Sequence, residues 1–187
     1  MLIGGVDLNA TENCSGNPQR LEFEVRDFRS SDTGPVIQHL EETWHHSYDT
    51  IVGENRVHSA VAKLRDNADL ATHLGGKGAR ILVACNGRRL AGTCVFRNAN
   101  GVSYISGMYV HPSLQRAGIG SALLERALQA IRPANAVAAL FVLKQSIAAN
   151  DFYCRRGFSQ FQSGTYSFEG YDLETIEMFL RFETSPS

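Results

Sequence analysis

The chain has 187 residues, a formal net charge of −1 and 43% hydrophobic residues. A chain of this length predicts one domain with a single core. The balanced charge provides none of the basic excess that nucleic-acid-binding proteins carry. No apolar run approaches the ~20 residues that cross a bilayer as a helix. We therefore expect no nucleic-acid or membrane partner.

The first 20 residues lack hydrophobic periodicity and predict a flexible tail, followed by one domain at residues 21–187. The tail has no basic start and only a short apolar stretch, unlike a secretory signal. The cysteines form no C-x-x-C pair and have no zinc-site spacing: Cys14, Cys85, Cys94 and Cys154. We expect reduced thiols in the cytoplasm and no bound metal.

Hydrophobic periodicity predicts a strand at Phe23–Phe28 and then a helix that starts near Ser30-Ser31-Asp32 and ends near His46. A hairpin turns at Asn86-Gly87, which is a strong turn signal. Between these features the pattern predicts a second helix at Glu54–Asn67 and a glycine-rich loop at Asp69–Gly78. The two strand-like arms of the hairpin are Ala79–Cys85 and Leu90–Arg97.

A strand at residues 102–110 leads into the most informative segment, Gln115-Arg116-Ala117-Gly118-Ile119-Gly120. A helix follows it, with a wide apolar stripe typical of core packing. The first N–H groups of a helix and its dipole favour an anion, and glycine lets that anion approach the backbone. The segment therefore predicts a phosphate site. It has neither the Gly-Lys-Ser/Thr end of a P-loop nor the Gly-x-Gly-x-x-Gly dinucleotide pattern.

The last third of the chain begins with an apolar run at residues 139–143, which predicts a strand buried on both faces. Ser146–Arg156 predicts a short helix, Gly157 ends it, and a new strand follows. Alternating residues predict the final strand at Leu173–Phe182. Mixed strands with interspersed helices predict a layered α/β domain.

Two motifs resemble those of the GNAT superfamily of acyl-CoA-dependent N-acyltransferases. The segment Met108-Tyr109-Val110-His111-Pro112-x-x-Gln115-Arg116-x-Gly118-Ile119-Gly120 is similar to the acyl-CoA pyrophosphate site of that family. The segment Ala149-x-x-Phe152-Tyr153-x-x-x-Gly157-Phe158 resembles its second signature. The resemblance covers roughly residues 23–182. It implies an α/β fold with a mixed, mostly antiparallel sheet, helices on both faces, and splayed fourth and fifth strands.

The resemblance implies acetyl-CoA as co-substrate and assigns it three parts of the chain. The end of the fourth strand, Met108 to Val110, would pair with the pantetheine arm, and an N–H near Val110 would point at the thioester carbonyl. Ser146 stands where many members carry an asparagine near the pantetheine. The pyrophosphate would bind the turn and the helix start: Gln115, Arg116, Ala117, Gly118, Ile119, Gly120 and Ser121.

The catalytic prediction is Tyr153, which stands where many members carry a tyrosine that protonates the leaving thiolate. A phenol with a pKa near 10 suits that role, although a tyrosine that packs helix on sheet is the alternative. The sequence does not identify the base, because residues 102–110 contain no Asp, Glu or His. A water chain or a residue of the first helix would serve: Glu41, Glu42, His45, His46 or Tyr48.

The acceptor site is predicted from the first helix and the fourth strand. Trp44 and Tyr48 lie one helical turn apart and share a face, so they line an acceptor pocket or anchor the helix in the core. Strand alternation places Tyr104 and Ser106 on the same face as Met108 and Val110.

The leading functional hypothesis is an acetyl-CoA-dependent N-acetyltransferase acting on a primary amine of a small molecule, as a monomer or homodimer. One alternative is acetylation of a protein lysine or N-terminus. Another is an acyl-CoA-binding domain without transferase activity, which the missing carboxylate on strand four and Ser146 favour.

Overall fold

The structure is a computed structural model that describes residues 22–87, 89–132 and 136–182. The predicted tail, residues 1–20, lies outside the described residues. Short 3₁₀ turns occur at Ser30–Asp32 and Pro112–Leu114. The helices and strands are β1 Glu24–Asp27, α1 Thr33–Val52, α2 Glu54–Arg65, α3 Leu70–Gly75, β2 Arg80–Asn86, β3 Arg89–Ala99, β4 Val102–Val110, α4 Ile119–Ile131, β5 Val137–Leu143, α5 Ile147–Cys154, β6 Ser159–Phe168 and β7 Tyr171–Arg181.

The sheet has seven strands in the order β1-β2-β3-β4-β5-β7-β6. Neighbouring strands are antiparallel except for β4 and β5, which are parallel. The parallel pairing runs only from Val102 opposite Val137 to Ile105 opposite Leu140. Both strands continue beyond that point without pairing to each other, so they splay. The predicted mixed sheet with splayed fourth and fifth strands is confirmed.

Helices cover both faces of the sheet and divide the core in two. One half joins α1, α2 and α3 to one face, with Leu40, Val61 and Leu74 among its buried residues. The other half joins α4 and α5 to the opposite face. The apolar stripe of α4 is buried there as core packing requires: Ile119, Leu123, Leu124, Ala127 and Ile131.

Two helices depart from the prediction by more than two residues. Helix α1 continues past His46 to Val52, because Tyr48 and Val52 extend its buried face, and Gly53 with φ of 87° ends it. Part of the predicted loop at Asp69–Gly78 is helix α3. The Asp69 side chain accepts a hydrogen bond from the Thr72 N–H at 3.1 Å and caps this helix, while two leucines anchor it in the core.

A β-bulge in β4 overturns the predicted alternation of that strand. Gly107 pairs with Val95 and Ile105 pairs with Phe96, so Ser106 is an extra residue. Ser106 lies beside α3, where its Oγ would be 3.5 Å from a Cβ at Gly75. Tyr104 stacks under Arg97, which also borders α3.

Met108 and Val110 belong instead to the core half that contains α4. The predicted shared face of Tyr104 and Ser106 with Met108 and Val110 is therefore wrong. The inserted residue reverses the alternation between the two pairs.

Candidate active site

A 3₁₀ turn at Pro112–Leu114 and the glycine turn that follows it connect β4 to α4. Arg116 has φ of 65° and Gly118 has φ of 88°, both in the left-handed region. Gly118 is the N-cap of α4, and the helix begins at Ile119. These two conformations reverse the chain, so that the start of α4 lies beside Val110 at the end of β4. A Cβ at Gly120 would lie 3.6 Å from Cγ2 of Val110.

A pocket of about 280 Å³, which we call the arginine pocket, opens at this helix start. It combines six of the predicted acetyl-CoA residues with four residues from α5 and its C-terminal end. Three of the ten lining residues are arginines and none is acidic, so the pocket favours an anion. The lining consists of Val110, Gln115, Arg116, Gly118, Gly120, Ser121, Ala148, Phe152, Arg155 and Arg156.

Arg156 is the most firmly held of these cations. Its Nη2 donates a hydrogen bond to Oγ of Ser121, and its Nη1 donates to the carbonyl of Phe152 at 3.0 Å. Its guanidinium lies 3.6 Å from the centroid of the Phe152 ring. Burial, and then repulsion from Arg155, lowers the pKa of Arg156, but a guanidinium stays charged in proteins. The side chain therefore presents a fixed positive charge at the start of α4.

Sequence reasoning missed this contribution of α5 to the pocket. Phe152 and Arg156 are four residues apart, and this spacing puts a ring and a cation on one helical face. That spacing was a usable signal. What it could not show was that α5 packs with this face towards the start of α4.

The positive charge and the hydrogen-bond donors of the pocket fit the pyrophosphate of an acyl-CoA. A diphosphate needs N–H donors and positive charge. The start of α4 supplies the N–H donors, and three arginines supply the positive charge.

The other residues that were predicted to bind acetyl-CoA do not line this pocket. Met108 is 7% exposed, Ile119 is buried, and Ala117 is exposed on the turn. Ser146 precedes α5, and its carbonyl accepts a hydrogen bond from Nδ2 of Asn150 at 2.8 Å.

Tyr153 is fully buried on the inner side of α5. Its ring packs edge-on against Phe152 and Phe158, with centroid distances of 5.0 and 5.5 Å. The hydroxyl has no hydrogen-bond partner among the described residues. Burial raises the pKa of this phenol well above its ordinary value. The group is therefore neutral near pH 7 and keeps an unused donor in the core.

Trp44 and Tyr48 lie in the core on the α1 side of the sheet, with 3% and 1% of their surface exposed. The Trp44 ring meets Tyr109 and Phe168 edge-on, at centroid distances of 6.1 and 5.9 Å. The Tyr48 ring lies 5.4 Å from that of Phe168. Both rings thus occupy the core position that was the alternative to an accessible acceptor wall.

The candidate bases of α1 have partners of their own. Glu41 pairs with Arg65 at 2.6 Å, and His45 pairs with Asp49 at 2.9 Å. Glu42 pairs with His111 at 3.1 Å, directly after β4. Glu41, Glu42 and His45 line a groove of about 880 Å³ along α1 and α2, and this groove shares no lining residue with the arginine pocket. His46 is exposed on α1 and Tyr48 is buried.

His39 is a buried polar residue that the sequence did not single out. Its Nε2 lies 3.3 Å from the carbonyl oxygen of Tyr109 near the end of β4, so this nitrogen donates. Its Nδ1 has no partner among the described residues. Burial lowers the pKa of His39 to about 4. The ring is neutral near pH 7 and links α1 to β4.

This burial makes the fold sensitive to acid. Because the folded pKa is about 4 and the ordinary value is 6.5, the unfolded chain binds a proton first as pH falls. The stabilisation from neutral His39 is complete above pH 6.5 and is lost progressively down to about pH 4, by about 3 kcal/mol in the free energy of unfolding. Urea denaturation across this range measures the loss. His39→Gln removes this share of the pH dependence, and an equally steep curve for that variant would contradict the assignment.

Two further features, a membrane-spanning helix and a metal-binding group, can be checked in the described residues. Within them, no helix has the length and hydrophobicity to span a membrane. Nor do they contain a group of three or more His, Cys, Asp or Glu side chains arranged to hold a metal ion.

Comparison with known proteins identifies the fold. PaiA N-acetyltransferase from Thermoplasma acidophilum, solved in complex with coenzyme A, matches with a TM-score of 0.72 and 20% identity over 86% of this chain and 99% of that one. The ribosomal-protein-S18-alanine N-acetyltransferase from Escherichia coli matches with a TM-score of 0.67 and 15% identity over 88% and 97% of the two chains.

A GCN5-related N-acetyltransferase from Rhodopseudomonas palustris matches with a TM-score of 0.69 and 18% identity, over 89% of this chain and 100% of that one. No curated protein sequence matches significantly. The family model of the acetyltransferase (GNAT) domain matches residues 46–180. That range includes both sequence motifs and the arginine pocket. The chain therefore belongs to the GNAT acetyltransferase family.

Proposed function

We propose that the protein is an N-acetyltransferase that moves an acetyl group from acetyl-CoA to a primary amine of a small molecule. The pocket at the start of α4 carries this proposal. Its three arginines, its helix N-terminus and its lack of acidic residues suit a diphosphate. Its position beside the end of β4 suits a thioester arm that continues into the splay. Residues Gly107 to Val110 pair with β3 on one side and have no β5 partner on the other, so that other side of β4 borders the splay where the arm would enter.

In the proposed reaction the amine nitrogen attacks the thioester carbonyl, a C–N bond forms and the C–S bond breaks. A backbone N–H near Val110 stabilises the developing oxyanion. The amine loses its proton to water or to a residue of α1, and Tyr153 gives its proton to the departing sulfur. One observation supports Tyr153: its hydroxyl has no competing hydrogen-bond partner among the described residues.

Acyl-CoA binding without transfer is the second candidate. The complete burial of the Tyr153 hydroxyl favours this candidate, because a group buried in the core reaches no substrate until α5 or the splayed strands shift.

The proposed function also includes a cytoplasmic location. The described cysteines, Cys85, Cys94 and Cys154, are unpaired, which suits a reducing compartment.

One experiment separates these functions. Coenzyme A at ~100 times its dissociation constant should stabilise the fold by about 2.7 kcal/mol. Thermal denaturation and calorimetry measure this effect. Release of free thiol from acetyl-CoA is then followed with small amines, amino acids, polyamines and peptides.

Thiol release with a small amine supports the transferase, and release with peptides alone indicates a protein acceptor. Stabilisation by coenzyme A with no release for any acceptor indicates binding only. Absence of both stabilisation and binding heat would refute the assignment of the pocket.

A further inference from the structure

Two histidines from different helices meet in the groove along α1 and α2. His45 lies on α1 and His58 on α2, and their ring centroids are 4.6 Å apart, with the ring planes inclined at 62°. Both residues line the groove of about 880 Å³. His58 is exposed, and 22% of the His45 side chain is exposed. The pair is therefore accessible to a dissolved ion.

One ring nitrogen of each histidine already has a partner on its own helix. Nδ1 of His45 lies 2.9 Å from both carboxylate oxygens of Asp49, and Nδ1 of His58 lies 3.1 Å from the backbone carbonyl oxygen of Glu54. An ionised carboxylate and a carbonyl can only accept, so in both rings Nδ1 carries a proton and donates it. In a neutral imidazole the free lone pair then belongs to Nε2. The Nε2 atoms are thus left to bind a ligand.

This arrangement is typical of histidines that bind metal ions. A metal-binding imidazole usually donates its other N–H to a carboxylate or a backbone carbonyl, which fixes the tautomer and the orientation of the ring. His45 has the first kind of partner, and His58 has the second. Two imidazoles that share one Zn²⁺ through N–Zn bonds of about 2.0–2.1 Å have centroids roughly 4.5–5.2 Å apart. The distance between the two rings, 4.6 Å, lies in that range.

A third ligand is available on the same face of α2. Glu54 precedes His58 by one helical turn and also lines the groove. Its exposed carboxylate has no partner among the described residues. These residues contain no preformed group of three ligands, so the histidine pair is the fixed part of the site. A rotation of the Glu54 side chain would add an oxygen to the two nitrogens, and water would complete the tetrahedral shell that Zn²⁺ prefers.

We propose that His45, His58 and Glu54 form a zinc-binding site that bridges α1 and α2. Imidazole and carboxylate ligands suit Zn²⁺. The groove lining carries four carboxylates and one arginine, so its potential favours a cation. The cysteine spacing predicted no metal site, and this site uses no cysteine. It shares no residue with the arginine pocket, so it does not depend on acetyl transfer.

Calorimetric titration of the full chain with micromolar Zn²⁺ near pH 7 tests this site. The wild type should bind one ion per chain, and Zn²⁺ should raise the midpoint of thermal denaturation because it binds the folded state. His45→Gln, His58→Gln and Glu54→Gln each remove one ligand and should weaken binding by about tenfold or more. Asp49→Asn keeps the shape of the side chain but removes the charge that orients His45, and should weaken binding by about tenfold.

His46→Gln is the matched control, because His46 is the next residue on α1, is exposed and does not line the groove. Cys154→Ser removes an exposed thiol and controls for zinc bound by sulfur. Circular dichroism checks that each variant is folded, and both controls should bind Zn²⁺ with wild-type affinity.

The absence of binding heat and of thermal stabilisation in the wild type would overturn the proposal. Binding that neither His45→Gln nor His58→Gln weakens would also overturn it. An equal loss in His46→Gln would show diffuse binding to surface histidines, and a loss confined to Cys154→Ser would place the ion on the thiol. Either result contradicts a site between α1 and α2.

Discussion

Tyr153→Phe is expected to lower kcat by about 10² to 10⁴, the usual contribution of a general acid. The substitution removes one oxygen and keeps the ring, so the contacts with Phe152 and Phe158 remain. The hydroxyl has no hydrogen-bond partner among the described residues, so its removal should leave the free energy of unfolding unchanged or slightly raised. The loss should appear in kcat and not in the affinity for coenzyme A, because charge develops on sulfur only in the transition state.

Steady-state kinetics with a responsive amine, together with calorimetry of coenzyme A binding, measure both quantities. Tyr166→Phe is a suitable control, since it removes a phenolic oxygen from a partly buried ring on β6. A Tyr153→Phe variant with wild-type kcat would make this residue a packing group and assign the proton to water. A variant that loses coenzyme A binding would make Tyr153 a positioning residue for the cofactor.

Gly120→Val is expected to weaken coenzyme A binding by about 100-fold or more, since the loss of one to two charge-assisted hydrogen bonds costs about 3 kcal/mol. A Cβ at this position meets the Phe152 ring and Val110 at 3.6 Å, which is ordinary contact. The two further methyl groups of valine add bulk to a residue that lines the pocket, where the proposed diphosphate would approach. Calorimetric titration with coenzyme A measures the change.

Gly120→Ala is the matched control. Its single methyl group fits, and alanine in a helix stabilises by up to about 1 kcal/mol relative to glycine. Gly118→Val makes a second test, although φ of 88° strains any β-branched residue and should cost about 1–3 kcal/mol of stability. Wild-type affinity in folded Gly120→Val and Gly118→Val variants would mean that the phosphate site lies elsewhere.

The sequence predicted the features that are local in the chain. The turn at Asn86-Gly87, the glycine turn before α4 and the chain reversal at Gly157 after α5 depend on backbone conformations that neighbouring residues set. The burial of the α4 stripe followed from its period of 3.6 residues. Helix α3 was missed because glycines crowd its C-terminal end and because it spans only six residues, too few to show a helical period.

The sequence by itself determined the family, the layered α/β fold and the glycine turn before α4, because these follow from motifs and periodicity. Only the tertiary structure decided which face of β4 each side chain takes, since one bulged residue, Ser106, reverses the alternation. It also decided that Trp44, Tyr48 and Tyr153 are core residues and that Arg156 reaches the start of α4. Contacts between segments that are distant in the sequence arise from packing, and no local pattern encodes them.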